Sequence, residues 1–317
     1  MSCIISDLSG IASTLNKVTI PSGHKLKAYG SVIHEATSAF QLPTGTTAQR
    51  PGSPATGYMR YNTTTSAIEV YDGSAWATIV SAIKGSSSDI PATDPSEILL
   101  DDPNAPDGAY YYSHPGGSGT YQTFTDMHHG GWLLVGKIPS SPADTSNPWS
   151  YSGARWNATS VTNESQTTNT NDGDALNRGY YEYTATEGFR MGMTYWNNQI
   201  YVPRGGVTAR EAFTNNSNSN MPNRNQMLDW ILQYRTEWDN QPHCNRVGFN
   251  RTDSNNTGMR FGITMNNENE CNSNDSAVGF GCYTNGQSGS GTRNCAAGGF
   301  RWNSTVRYAT SGYIFVK

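Results

Sequence analysis

Short apolar runs broken by turn residues dominate the chain, and few of them reach helical length. Between residues 46 and 80 apolar and polar positions alternate, which predicts strands at residues 58–61, 68–71 and 75–79. A Thr-rich loop joins the first two, and Asp72-Gly73 makes a tight turn before the third. The expected product is a small three-stranded meander in which Tyr58, Tyr71 and Trp76 are packing residues. Residues 1–45 hold only the runs Ile4-Ile5, Val18 to Ile20 and Ser31 to Ile33, set between turn signals such as Pro21-Ser22-Gly23 and Pro43-Thr44-Gly45. Segments this short bury no core alone, and units below ~40 residues need partners. They are predicted to be fibrous β segments that interdigitate with copies of the chain as a homotrimer.

Residues 84–104, rich in Ser, Asp and Pro, lose all periodicity and read as a linker. Beyond it, strands are predicted at residues 109–112 and 121–124 around a Gly-rich loop, with a buried third strand at 131–135. The main helix candidate covers residues 225–238, where Met227, Trp230, Ile231, Tyr234 and Trp238 form one apolar stripe suited to core packing. The Asn/Ser/Thr tracts at 157–173 and 214–226 read as long surface loops, where recognition residues commonly sit. The fold class is therefore mainly β with an α+β C-terminal domain. It divides into a 1–45 segment, a 46–83 meander, an 84–104 linker and a 105–317 globular head.

Composition narrows the function. Charged residues make up 15% of the 317, against roughly a quarter in ordinary soluble domains, which suits an exposed β-rich surface protein. A formal net charge of −4 offers no basic face for phosphates, so nucleic acid is excluded as the expected partner. No apolar run approaches the ~20 residues of a membrane-spanning helix. The N-terminus lacks the basic and apolar regions of a secretory signal. An exposed protein without an export signal is expected to leave its cell by lysis, as virion components do. On that reading the Asn-x-Ser/Thr sequons, Asn157, Asn250 and Asn303 among them, are coincidental.

Four of the five cysteines, Cys244, Cys271, Cys282 and Cys295, fall in the last quarter of the chain. Their spacing does not suit a zinc ribbon. Disulfides are the preferred reading, with three possible pairings, and free buried thiols are the alternative, since virion proteins assemble in reducing cytoplasm.

Two stretches resemble known families. Gln49, Arg50, Pro51, Arg60, Tyr61, Asn62, Tyr71, Asp72, Gly73 and Trp76 resemble a module of bacteriophage fibre and appendage proteins, with its Gln-Arg-Pro turn, Tyr-Asn-Thr hairpin and Tyr-Asp-Gly-x-x-Trp turn. In the head, Asp107-Gly108, Tyr121 to Phe124, Asp126-Met127 and Gly130-Gly131-Trp132 are similar to the opening of the fibrinogen-like fold, with Thr125 where that family usually has cysteine. Residues 177–182 (NRGYYE), 265–268 and 294–302 (NCAAGGFRW) resemble intelectin motifs in the right order. The resemblance implies a lectin-like, fibrinogen-like (intelectin-like) head on a virion fibre.

Chemistry in the sequence points to binding. There is no nucleophile elbow, phosphate loop or His-Glu-x-x-His, and His128-His129 has no placed nucleophile, so no enzyme is expected. Fibrinogen-like domains hold calcium near their ligand pocket. The densest hard-oxygen group here is Asn266, Asn267, Glu268, Glu270 and Asp275, the candidate calcium ligands, and a solvated loop is the plain alternative. The intelectin Glu and His are replaced by residues 290–294 (SGTRN), and the early acidic calcium loop by residues 137–141 (KIPSS), so the intelectin glycan mode is not carried over. Tyr283, Arg293, Arg301, Trp302 and Tyr308 are the candidate ligand contacts, because aromatic rings and guanidinium groups suit sugar faces and protein hot spots. Trp302 equally fits a core position. The expected function is a tail or head fibre that attaches to the bacterial host surface, docked to another virion protein through its N-terminal region. The alternatives are a capsid or collar decoration fibre and, less favoured, a secreted cellular lectin.

Overall fold

The computed structural model describes residues 39–79, 83–140, 146–215, 222–234, 241–252, 257–270, 272–284, 293–300 and 307–317. The chain is mainly β, with three sheets, and divides into two compact units, residues 1–81 and 82–317. The expected 1–45 segment lies almost wholly outside the described residues.

In the first unit β1 (Thr44–Gly45), β2 (Met59–Asn62), β3 (Ala67–Tyr71) and β4 (Trp76–Thr78) form a sheet in that order. The three predicted strands are the antiparallel β2–β4, and β1 adds a parallel edge. Asp72 caps the β3–β4 turn through the amides of Ser74 (2.7 Å) and Ala75 (2.8 Å). Tyr71 and Trp76 pack on each other at 5.6 Å, whereas Tyr58 is exposed rather than packed.

Residues 84–104 are not a free linker. Ala92 bridges to Tyr112, and α1 (Pro95–Asp101) starts from an Asp94 cap that accepts from the Ser96 amide at 2.8 Å. Proline at the first helical position fits that start. Ile98 and Ala92 are fully buried, so this stretch packs as part of the second unit, whose boundary lies just before it.

The second unit is built on two sheets. The larger contains β5 (Gly108–Tyr112), β6 (Tyr121–Asp126), β7 (Trp132–Ile138), β8 (Ala175–Leu176), β9 (Gly188–Met193), β10 (Gln199–Pro203) and β16 (Gly312–Val316), in the path β10-β9-β16-β7-β6-β5 with β8 on β7. β7 and β16 are buried on both faces, which explains their apolar runs WLLVG and GYIFV, with Lys137 the one charged residue enclosed among them. Leu133, Val135, Ile138, Ile314 and Val316 face the main core, while Trp132, Leu134, Tyr313 and Phe315 form a second apolar layer on the opposite face. The short α2 (Gly179–Glu182) and α3 (Ala209–Thr214) lie between these strands and the next sheet, and α4 (Arg224–Leu232) follows a capping box at Asn223. The predicted stripe begins on the buried side of α4, where Met227, Trp230 and Ile231 are in the core, but the helix ends at Leu232, short of Tyr234, and Trp238 lies outside the described residues.

The smaller sheet runs β11 (His243–Thr252), β12 (Thr257–Asn266), β13 (Ser276–Thr284), β14 (Arg293–Phe300) and β15 (Arg307–Ala309) in order. A chain of aromatic contacts joins it to the larger sheet. Phe249 of β11 meets Phe189 of β9 at 5.9 Å, Phe213 of α3 at 5.0 Å and Phe261 of β12 at 4.9 Å. Across this sheet Gly248, Gly262, Gly279 and Gly298 stand directly opposite one another on four successive strands. All four have positive φ, between 105° and 146°. A Cβ at Gly262, Gly279 or Gly298 would be driven into the carbonyl oxygen of Val278, Phe261 or Tyr308 respectively. The column is a crease that only glycine permits.

Candidate functional site

The loop that leaves β12 at Asn266 and enters β13 at Ser276 carries the candidate cation ligands. Glu270 organises its turn. Its carboxylate accepts from the Asn272 amide at 2.6 Å, from the Ser273 hydroxyl and from Asn266 Nδ2 at 3.0 Å. These bonds, the Ser273 hydroxyl foremost, hold its pKa below the usual glutamate value. Glu268 accepts from Asn267 Nδ2 at 2.9 Å. Asp275 stands differently: burial, and then the nearby Glu268 charge, push its pKa up to about 6. Gln241 Nε2 donates weakly to it at 3.4 Å.

Buried amide oxygens complete this region. Asn266 Oδ1 and Gln241 Oε1 have no hydrogen-bond partner in the protein, and both residues are buried. Orphaned buried oxygens and an under-compensated carboxylate are the donor types a hard cation takes. The fit therefore rests on Asp275, Gln241 and Asn266. Glu270 is already committed to its own turn, and Glu268 acts by its charge on Asp275. Among the described residues no group of three or more His, Cys, Asp and Glu side chains is arranged to hold a metal ion. Amide oxygens would have to complete any coordination.

Of the candidate ligand contacts, only Tyr283 and Tyr308 have described side chains, and they stand on different strands, β13 and β15. Tyr283, eight residues along β13 from Asp275, lies against Tyr151 at 4.5 Å, and Arg260 stacks on the same Tyr151 at 4.7 Å. Arg260 is fixed by Tyr151 O (2.7 Å), Phe213 O (3.2 Å) and Asn250 Oδ1 (3.1 Å). Tyr308 sits on β15 opposite Gly299 and packs against the main core. The backbone of Arg293 pairs with Thr284. The side chain of Arg293, and Arg301 and Trp302 entirely, lie outside the described residues.

Cys282 and Cys295 face each other on β13 and β14 as buried free thiols, contrary to the preferred disulfide reading. Burial, and then the hydrogen bond with Cys295, push the Cys282 thiol pKa well above its usual value. A thiol with little thiolate reacts slowly with oxidants. Cys271 and the Cys244 side chain lie outside the described residues.

Two features escaped the sequence reading. On the outer face of the larger sheet the Arg190 guanidinium lies 4.4 Å over Trp132, Tyr201 meets the same indole at 5.7 Å, and buried Asp126 holds His129 Nδ1 at 2.8 Å. Tyr201 is half-exposed there. Only the alternation of β9 and β10 could have placed Arg190 and Tyr201 outward. The second is Lys137, fully sequestered, whose ammonium donates to Gln166 O at 2.8 Å and to Asn169 Oδ1 at 3.3 Å. It holds residues 166–169 from within, and it stands in the 137–141 stretch where the resemblance would place an acidic calcium loop.

Comparison with protein-family models, with curated proteins and with solved structures finds no match. Among the described residues no helix is long and apolar enough to cross a membrane.

Proposed function

We propose that the chain is a structural virion fibre protein of a bacteriophage, carrying a fibrinogen-like, lectin-like head that binds the bacterial host surface. The observation that carries this reading is the use made of the fibre-module residues. Arg50 donates to Glu69 through Nε (3.2 Å) and Nη2 (2.5 Å), Asn62 Nδ2 donates to the same carboxylate at 2.9 Å, and Arg60 Nη2 donates to Thr46 O at 2.9 Å. Arg50 also lies 5.9 Å over Trp76. The residues shared with the module are thus among those that lock the small sheet, which supports the fibre reading.

The head supports the rest of the reading. It sets half-exposed Tyr201 and partly exposed Arg190 on a sheet whose central strands are buried on both faces, a rigid platform of the kind recognition surfaces use. Calcium belongs to the proposal as an ordering ion held by Asp275, Asn266 and Gln241. Trimerisation and docking to a second virion protein would fall to the N-terminal part.

Two measurements test this. Gold-labelled antibodies against residues 105–317 should decorate intact particles, and the purified chain should bind host cells and compete with particle adsorption. Labelled particles whose protein does not bind cells would favour the decoration-fibre alternative. Absence of label from particles would reject the fibre reading.

A further inference from the structure

The small sheet has its polarity reversed. Arg60, Asn62 and Glu69 are buried on one face, where the 46–50 turn covers them and satisfies them with hydrogen bonds. The alternate positions form the other face: Met59 opposite Val70, Tyr61 opposite Ile68, and Val70 opposite Ala77. Every one of those five side chains is uncharged and, tyrosine hydroxyl aside, apolar. Met59, Tyr61 and Ile68 are nonetheless exposed by 45%, 37% and 39%. Among the described residues of this unit no apolar side chain is buried at all.

A sheet of short strands needs an apolar face packed against something to be stable in water. This one spends its covered face on an ion-pair network and leaves the apolar face open. The occupant can be argued from what the face offers. It presents no charge to recognise an acidic or basic partner, and none to repel an identical face. Strand spacing makes it only ~200 Å² across three strands, far below the roughly 800 Å² per partner of a stable two-body interface. Several identical faces closing on a symmetry axis would merge into one shared core, with each face touching two neighbours.

We propose that this face joins copies of the chain, with Met59, Tyr61, Ile68, Val70 and Ala77 of each copy meeting in a common apolar core. The assignment rests on the fibre reading for its trimeric stoichiometry and is independent of what the head binds. Light scattering on the full chain should give three times the mass of one chain. Ile68→Glu and Tyr61→Glu should reduce it to a single chain. Thr78→Lys, on the opposite face and across from Glu69, should leave it unchanged. Melting of the second unit in each variant shows that the head has folded.

Dilute peroxide on the unmodified protein gives a test that needs no substitution. Met59 should oxidise several-fold more slowly than in a denatured control. A single-chain mass for the unmodified protein overturns the proposal, and does so even with Met59 protected, because the cover then comes from the same chain. An oligomer indifferent to both face substitutions overturns it equally. Cell binding that persists in a single-chain protein would leave the head's function standing while removing this surface.

Discussion

Replacing Phe249 by alanine tests whether the two sheets of the head share one core. The ring is fully buried and touches Phe189, Phe213 and Phe261 at 4.9–5.9 Å, with the Arg204 guanidinium 5.2 Å above it. Loss of a buried phenyl group costs about 3–5 kcal/mol through lost transfer energy and the cavity left behind. For a unit of this size each kcal/mol moves the midpoint by about 2–4 °C, so Phe249→Ala should lower Tm by roughly 6–20 °C. The contact itself is measured by a cycle of the milder Phe189→Leu and Phe249→Leu changes. Rings in the tilted and edge-on arrangement seen here should give a coupling of about 0.5–1.5 kcal/mol. Near-ultraviolet circular dichroism during urea unfolding reports both sheets through the head's tryptophans. Strict additivity, or two separate transitions of which Phe249→Ala shifts only one, would refute a common core.

Three further outcomes follow from the candidate site. Asp275 has a folded pKa of about 6 against an ordinary 3.8, so its contribution favours folding in acid and is lost as pH rises through about 6; at most this is ~3 kcal/mol, and roughly 1–2 after solvent screening. Asp275→Asn in chelator should therefore raise Tm at pH 7.5 and leave it unchanged near pH 4, and an equal shift at both pH values would reject the assignment. Calcium that binds only the folded state should raise the Tm of the unmodified protein by mass action and fail to do so in Asp275→Asn, whereas identical melts with calcium and chelator would remove the ion. Cys282 and Cys295 should resist iodoacetamide in the native protein and react after unfolding without reductant; mass spectrometry showing both unmodified until reduction would restore the disulfide.

The legible parts of the fold were those written in local periodicity. β2–β7 and α4 follow from alternation or a 3.6-residue stripe within single segments, including the Asp72-Gly73 turn. α1 was missed because seven residues with only Ile98 and Leu99 as apolar anchors carry little periodicity, although Asp94-Pro95 is a proper helix start. The 164–168 turn inside a polar tract was hidden for another reason: its order comes from Lys137, about thirty positions away. The candidate loop was visible because its oxygens are contiguous in the chain. Which of them are available was not, since Glu270 is withdrawn by its own turn and Gln241 arrives from another segment. The glycine column was invisible for the same cause, because its members are separated by whole strands and only register aligns them.

That crease divides the smaller sheet by heritability. At positions 248, 262, 279 and 298 any side chain meets a left-handed backbone, and at the last three it also meets a neighbouring carbonyl, so drift there is closed to every other amino acid. Sequence change in this sheet should therefore spare the four spaced glycines. Remote kin of this chain should be recognisable by that spacing pattern long after overall identity has faded.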